Sequence, residues 1–228
     1  MRQPTAALAV AFIALLVAGC GARGNAAESA TTTPSMIPRP LVERELVGLL
    51  LRPDQVDAAM GAAGMAVTSS QSSMSDNSAT MAPPECLAID GAAEAPVYAD
   101  SGFWAERDQS LNDGDTFTHY VKQAVVLFPR IEEAAAFLDA SAQQWSTCHE
   151  YSHTQSGSQW VVGPVVKGDG MLSTVASQRD AAAPGWGCGR ALAHRNNIIV
   201  DVNTCSNDPA DSAMRIADQI ADNVTARW

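Results

Sequence analysis

The sequence predicts an α+β domain in which a mainly antiparallel sheet packs with helices. Three observations lead there. Strand-like runs follow one another as neighbouring hairpins, while amphipathic helical segments fall at the two ends and in the middle. Cys86, Cys148, Cys188 and Cys205 could form two disulfides. Of the 228 residues, 46% are hydrophobic, enough to give a single domain a substantial core.

The chain opens with Arg2 and an apolar run over residues 6–17, too short to cross ~30 Å of hydrocarbon, which reads as a secretory signal peptide. The run ends in Leu16-Val17-Ala18-Gly19-Cys20, which resembles a bacterial lipobox. The resemblance implies cleavage before Cys20, diacylglycerol on its sulfur and acylation of the new amino terminus. Residues 1–19 are then the signal peptide, and 228 less 19 leaves 209 in the exported protein. Residues 20–40 are small, polar and interrupted by prolines, and form a lipidated flexible tether; residues 41–228 form the domain. Threonines beside proline in tethers of similar lipoproteins are often mannosylated, which marks Thr31, Thr32 and Thr33.

No second apolar run reaches membrane length, so the lipid is the expected anchor, on the outer face of the cell membrane. Cleavage leaves 13 basic against 25 acidic residues. A net charge near −12 argues against nucleic acid and against electrostatic adhesion to anionic head groups.

Within the domain, residues 41–51 and 53–60 read as short helices, the second opened by Pro53 and closed by Gly61. Residues 65–68 suit a strand. The Ser-, Met- and Asn-rich stretch 69–84 reads as a long surface loop. Strands are expected at 97–99, 103–109 and 117–128. A helix follows over 131–145, where Ile131, Ala134, Ala135, Leu138, Ala142 and Trp145 fall on one stripe. Further strands are expected at 159–166, 171–177, 186–194 and 197–204. A last helix, about 209–224, turns Ala213, Ile216, Ala217, Ile220 and Val224 inward.

Exported cysteines oxidise, and four of them allow three connectivities. Taking Asn196-Asn197 as a two-residue hairpin turn pairs Arg195 with Ile198 and, counting outward, Cys188 with Cys205. That pair falls at a non-hydrogen-bonded site, where Cα atoms ~4.5 Å apart suit a disulfide. Elimination then gives Cys86 to Cys148. The same register puts Ala191, Ala193, Val200 and Val202 on a core face, and Arg190, Leu192, Asp201 and Asn203 on the other with the cysteines. On that second face Arg190, Asp201 and Asn203 form a polar cluster. It reads either as a cross-strand ion pair on a solvated face or as part of a ligand groove.

The chain resembles the PknH-like extracellular sensor domain family of mycobacterial serine/threonine kinases and lipoproteins. The resemblance rests on Leu50-Leu51-Arg52-Pro53 with Ala58-Ala59-Met60-Gly61, on Lys122-Gln123-Ala124-Val125-Val126-Leu127-Phe128-Pro129, and on Ala142-Gln143-Gln144-Trp145 ahead of Cys148. Trp186-Gly187-Cys188-Gly189-Arg190-Ala191-Leu192 and Asp201-Val202-Asn203-Thr204-Cys205 complete it, over about residues 47–224. It implies a twisted antiparallel sheet with helices packed on it, two disulfides and a cleft for an extracellular ligand. Because this sequence carries neither a kinase domain nor a membrane span, signalling would need a partner such as a receptor kinase or another envelope protein.

His149-Glu150-Tyr151-Ser152-His153 matches the zinc-hydrolase pattern H-E-x-x-H, whose chemistry needs both imidazoles on one helix face with Glu150 beside the bound water. The pattern instead begins where a helix is ending and runs into weak helix formers, with no later glutamate as a third ligand; it reads as a metal-free surface loop. Asn112-Asp113-Gly114-Asp115 and Gly168-Asp169-Gly170 lack the spacing of a calcium loop and read as turns. Trp104, Trp145, Trp160 and Trp186 could form an aromatic wall, with core packing the expected use of most of them. No phosphate loop, dinucleotide fingerprint or serine nucleophile elbow is present, and no cofactor is expected. Composition and motifs thus point to a non-enzymatic, lipid-anchored domain that binds a small molecule, glycan or lipid of the envelope. A zinc hydrolase and a protein-interaction module are the alternatives.

Overall fold

The structure is a computed structural model and describes residues 38–227. Cys20, Thr31, Thr32, Thr33 and the segment expected to be a signal peptide lie outside the described residues. Ten strands join one sheet: β1 Ala66–Gln71, β2 Met81–Ala82, β3 Ala105–Asn112, β4 Tyr120–Leu127, β5 Glu150–His153, β6 Gln159–Val162, β7 Val166–Gly168, β8 Met171–Gln178, β9 Gly187–Arg195 and β10 Ile198–Ser206. Their order is β1-β3-β4-β10-β9-β8-β6-β5-β2 with β7 beside β8, and every named pairing is antiparallel. Five α-helices accompany it: α1 Pro53–Met60, α2 Leu87–Asp90, α3 Ala95–Tyr98, α4 Ile131–Trp145 and α5 Ser212–Thr225.

Strand alternation divides the side chains between two covered faces. Val121, Val125, Val200, Val202, Ala191 and Ala193 pack with Leu46 and Leu49 ahead of α1, with Val56 of α1, and with Ile216, Ile220 and Val224 of α5. On the opposite face Val126, Ile199, Leu172 and Leu192 meet Leu87 and Ile89 of α2, Tyr98 of α3, and Leu138 and Trp145 of α4. The sheet is therefore a middle layer, which is why β4 and β10 are buried along almost their whole length.

The β9–β10 register is set at the turn. Asn196 takes φ 54°, Ile198 pairs with Arg195, and Cys205 lies opposite Cys188. Cys188 and Cys205 are bonded with Cα atoms 4.1 Å apart, and Cys86 and Cys148 are bonded with Cα atoms 5.3 Å apart. Asn197 then ties the turn to two other segments. Its side chain accepts from Leu41 N (2.8 Å) and donates to Leu41 O (3.1 Å) and Phe128 O (2.7 Å).

Local departures from the sequence reading have local causes. Residues 97–99 are not a strand: Pro96 presets helical φ in the first turn of α3, and the run has no sheet neighbour. Only Glu43–Gly48 of the expected helix 41–51 is helical, as a 3-10 turn. The stretch 69–84 is not all loop, since β1 extends to Gln71 and Met81–Ala82 pairs with β5. Both are edge strands that give little hydrophobic alternation, β1 because it is polar and exposed and β2 because it is only two residues long. The last helix begins three residues later than expected, at Ser212.

Candidate functional site

The polar cluster of β9 and β10 is not a solvated face. Arg190 and Asp201 are 2% and 1% exposed, because α2 and the chain that follows it lie across them. Arg190 Nη1 donates to Asp201 Oδ1 (2.5 Å) and to Val202 O (2.8 Å), while its Nη2 donates to Ala88 O (3.0 Å) and Gly91 O (2.8 Å). Asp201 Oδ2 accepts from Ala93 N (2.9 Å) and from the Tyr98 hydroxyl (2.8 Å). The guanidinium also lies 5.2 Å from the Trp145 ring centroid. A buried ion pair persists only when its remaining hydrogen-bonding capacity is met. Here the backbone of 88–93 meets much of it, with Arg190 Nε alone left without a partner, so the pair works as a strut beneath that segment. Ala93 is held there at a positive φ of 51°.

What the strut supports is one wall of a cleft of about 370 Å³. Its floor is the Cys188–Cys205 bridge with Asn203, whose Nδ2 donates to Asp90 O (3.1 Å). Asp90, Gly91, Ala92 and Glu94 form the strutted wall. Phe117, Tyr120 and Trp186 stand together, with Phe117 6.2 Å from Tyr120 and 6.4 Å from Trp186 between ring centroids. His153 and Trp160 also line the cleft, their centroids 5.8 Å apart. Of the three residues singled out in the sequence, then, only Asn203 reaches the cleft; Arg190 and Asp201 hold its wall from below.

The charged groups in the cleft come in opposed sets. His153 Nε2 sits 2.7 Å from Asp90 Oδ1, and this bond raises the imidazole pKa against the lowering effect of burial. Glu94 is 3% exposed and accepts from Asn77 N (2.9 Å) and Asn77 Nδ2 (2.6 Å). Burial pushes its carboxyl pKa up despite those bonds. Lys122 Nζ donates to Ser75 Oγ (2.9 Å) and stands 4.0 Å from Asp108, an ion pair too long for a hydrogen bond. Behind Lys122, the Asp108 and Glu106 carboxylates are buried without any hydrogen-bond partner. Burial, then the charge of Asp108, pushes Glu106 up to about 7.

The other sequence candidates lie differently. His149-Glu150-Tyr151-Ser152-His153 is neither a helix nor a surface loop, because Glu150–His153 is β5. Extended backbone separates residues four apart by ~13 Å along the strand, too far for two imidazoles to share one zinc. His149 is exposed, Glu150 pairs with Arg179 (2.8 Å), and His153 belongs to the cleft. Among the described residues no group of three or more histidines, cysteines or carboxylates could hold a metal. Asp113 closes its own turn by accepting from Thr118 N (2.8 Å), Thr118 Oγ1 (2.7 Å) and His119 N (3.1 Å). Of the tryptophans, Trp145 is core, Trp160 and Trp186 line the cleft, and Trp104 is 72% exposed elsewhere. Sequence reasoning missed Asp90, Glu94, Phe117 and Tyr120, which come from two short segments, 90–94 and 117–120, that no sequence motif links.

A disulfide-stapled sheet covered on both faces, with a strutted cleft opening on one of them, defines an α+β domain suited to an oxidising, extracellular setting. The profile of the PknH-like extracellular domain matches residues 41–223, and the chain belongs to that family. It is 35% identical over 196 residues to the serine/threonine-protein kinase PknH of Mycobacterium bovis, a match that covers 84% of this chain and 33% of the kinase. Identity to PknH of Mycobacterium tuberculosis is also 35%, over 31% of that kinase. The chain thus spans about a third of the length of the kinases it matches. The crystal structure of the extracellular domain of PknH from Mycobacterium tuberculosis superposes with a TM-score of 0.78 at 32% identity, covering 82% of this chain and 98% of that one.

Proposed function

We propose that this chain is an exported, lipid-anchored sensor-like domain that binds a ligand of the envelope or extracellular space in the cleft, without catalysis. One observation carries the reading: a cleft of about 370 Å³, lined by aromatic rings and opposed polar groups, whose wall is held by a fully buried ion pair. A buried pair of this kind adds little net stability, so its use here is to fix the wall's position. Cleavage before Cys20 and lipidation of its sulfur would leave residues 20–40 as the tether and residues 41–228 as the domain, on the outer face of the membrane. Membership of a family of extracellular domains, with relatives that are kinases, supports that location. Any inward signal would pass through a partner, with a receptor kinase or another envelope protein as the candidates.

The test is native mass spectrometry of protein purified from its own cell envelope, in wild-type form and as Trp186→Ala. The expected result is a discrete co-purifying mass on the wild type that is reduced on the variant, together with a diacylglyceryl-modified amino-terminal peptide beginning at Cys20. An unliganded wild type, with no thermal shift across a panel of envelope molecules, would contradict ligand binding. An amino terminus other than Cys20 would contradict the anchor.

A further inference from the structure

The chemistry of the cleft narrows the ligand class, an inference that rests on the ligand-binding reading above. We infer that the cleft takes a neutral polyhydroxylated ring, the sugar unit of a glycan, packed on the Phe117, Tyr120 and Trp186 rings and hydrogen-bonded by Glu94 and Asn203. Three features of the lining select against other classes.

First, the charges offset one another in place. Asp90 is engaged by His153 at 2.7 Å, and Lys122 faces Asp108 at 4.0 Å while donating to Ser75. An anionic ligand would meet Asp90 and Glu94 and find the one lysine of the lining already committed. A cationic ligand would meet Lys122 and the His153 side chain. A neutral ligand disturbs neither set. Second, the floor and the strutted wall carry hydrogen-bonding groups spaced among apolar ones. Asn203 donates to Asp90 O through Nδ2, which leaves its Oδ1 as an acceptor, and each Glu94 oxygen, already accepting one bond from Asn77, keeps a second lone pair for a ligand hydroxyl. An acyl chain would strip these groups of water and return nothing, which buried polar groups penalise strongly. Third, Phe117 and Trp186, with centroids 6.4 Å apart, offer aromatic faces beside those groups. A sugar ring is amphipathic in the same sense, with a C–H face for the rings and hydroxyls for the acceptors. A cavity of about 370 Å³ lies near the small end of the ~300–1,000 Å³ range of ligand sites, which suits a short saccharide better than a folded partner.

The experiment titrates the intact purified protein with methyl glycosides of neutral hexoses and pentoses and with their disaccharides, read by tryptophan fluorescence and by saturation-transfer NMR. Choline, sodium glucuronate and sodium laurate serve as the cationic, anionic and apolar arms. The expected result is saturable binding of at least one neutral glycoside. Trp186→Ala and Phe117→Ala should each weaken it by about tenfold, the scale of one lost aromatic contact. Trp104→Ala, outside the cleft, should leave it unchanged. Failure of every neutral glycoside to bind overturns the sugar assignment. If choline, glucuronate or laurate binds instead and is weakened by Trp186→Ala, the cleft remains a ligand site of another class. If a glycoside binds but is indifferent to both folded cleft variants, the proposed placement on the rings is wrong.

Discussion

The two faces of one sheet are built on opposite terms. The face under α1 and α5 sets Val121, Val125, Val200 and Val202 against Ile216, Ile220 and Val224, and the polar groups it buries, Gln123, Thr204 and Ser212, are neutral and hydrogen-bonded. The face under α2 to α4 mixes a comparable apolar core with a row of charged residues, Glu106, Asp108, Lys122, Arg190 and Asp201, joined by the neutral Asn203, every member less than a tenth exposed. The same strands supply both, because alternation sends neighbouring residues to opposite sides. The difference teaches that stability alone needs only the first arrangement. Burying ions on the second face has a desolvation penalty that a purely structural layer would avoid, and it coincides with the face that opens into a cleft.

The largest expected effect breaks the strut. Arg190→Met or Asp201→Leu alone leaves one buried charge uncompensated and should destabilise the domain by about 3–5 kcal/mol. The double substitution should recover most of that loss. On the aliphatic face, Ile216→Ala should cost about 2–5 kcal/mol with no partner able to restore it. Urea unfolding of the four variants separates an ionic layer from an apolar one. Next in size, Cys188→Ala with Cys205→Ala removes a staple whose cysteines are 17 residues apart and should cost about 3 kcal/mol, read as a lower thermal midpoint under non-reducing conditions.

Glu106 sharpens the comparison through pH. Its folded pKa is raised from 4.5 to about 7, so ionisation favours the unfolded chain. Stability is therefore fully retained below pH 4.5 and declines as pH rises through about 7. Glu106→Gln should remove that decline, gaining up to about 3 kcal/mol over wild type at pH 8 and little at pH 4. His153 has the same sign on a smaller scale: its raised pKa stabilises below the ordinary imidazole value and is lost as pH rises through the folded one. In His153→Gln the pH dependence of the unfolding midpoint between pH 6 and 8 should be shallower than in wild type.

The fold was legible where the chain's own period or turn chemistry decides it. α4 and α1 follow from apolar spacing and Pro53, and the β9–β10 register follows from Asn196-Asn197. The site was legible only in part. Arg190 and Asp201 stand out in the hairpin, yet their alternation in a strand suggests a wet face until α2 is known to cover it. The cleft itself depends on contacts such as Ala93 N to Asp201 Oδ2, 108 residues apart, and on walls from segments with no periodicity. No local pattern encodes such a meeting. The H-E-x-x-H match failed for the complementary reason, since the motif presumes a helix and the segment is a strand paired on both sides, with Met81–Ala82 and Gln159–Val162.

The central claim is that the buried Arg190–Asp201 pair positions the cleft wall. Residue-resolved amide hydrogen exchange on the Arg190→Met, Asp201→Leu double variant tests it most directly, because the Ala93 amide is donated to Asp201 itself. Faster exchange confined to residues 88–95, with β9 and β10 as protected as in wild type, is the predicted result. Unchanged protection at Ala93, or loss spread evenly over the sheet, would contradict it.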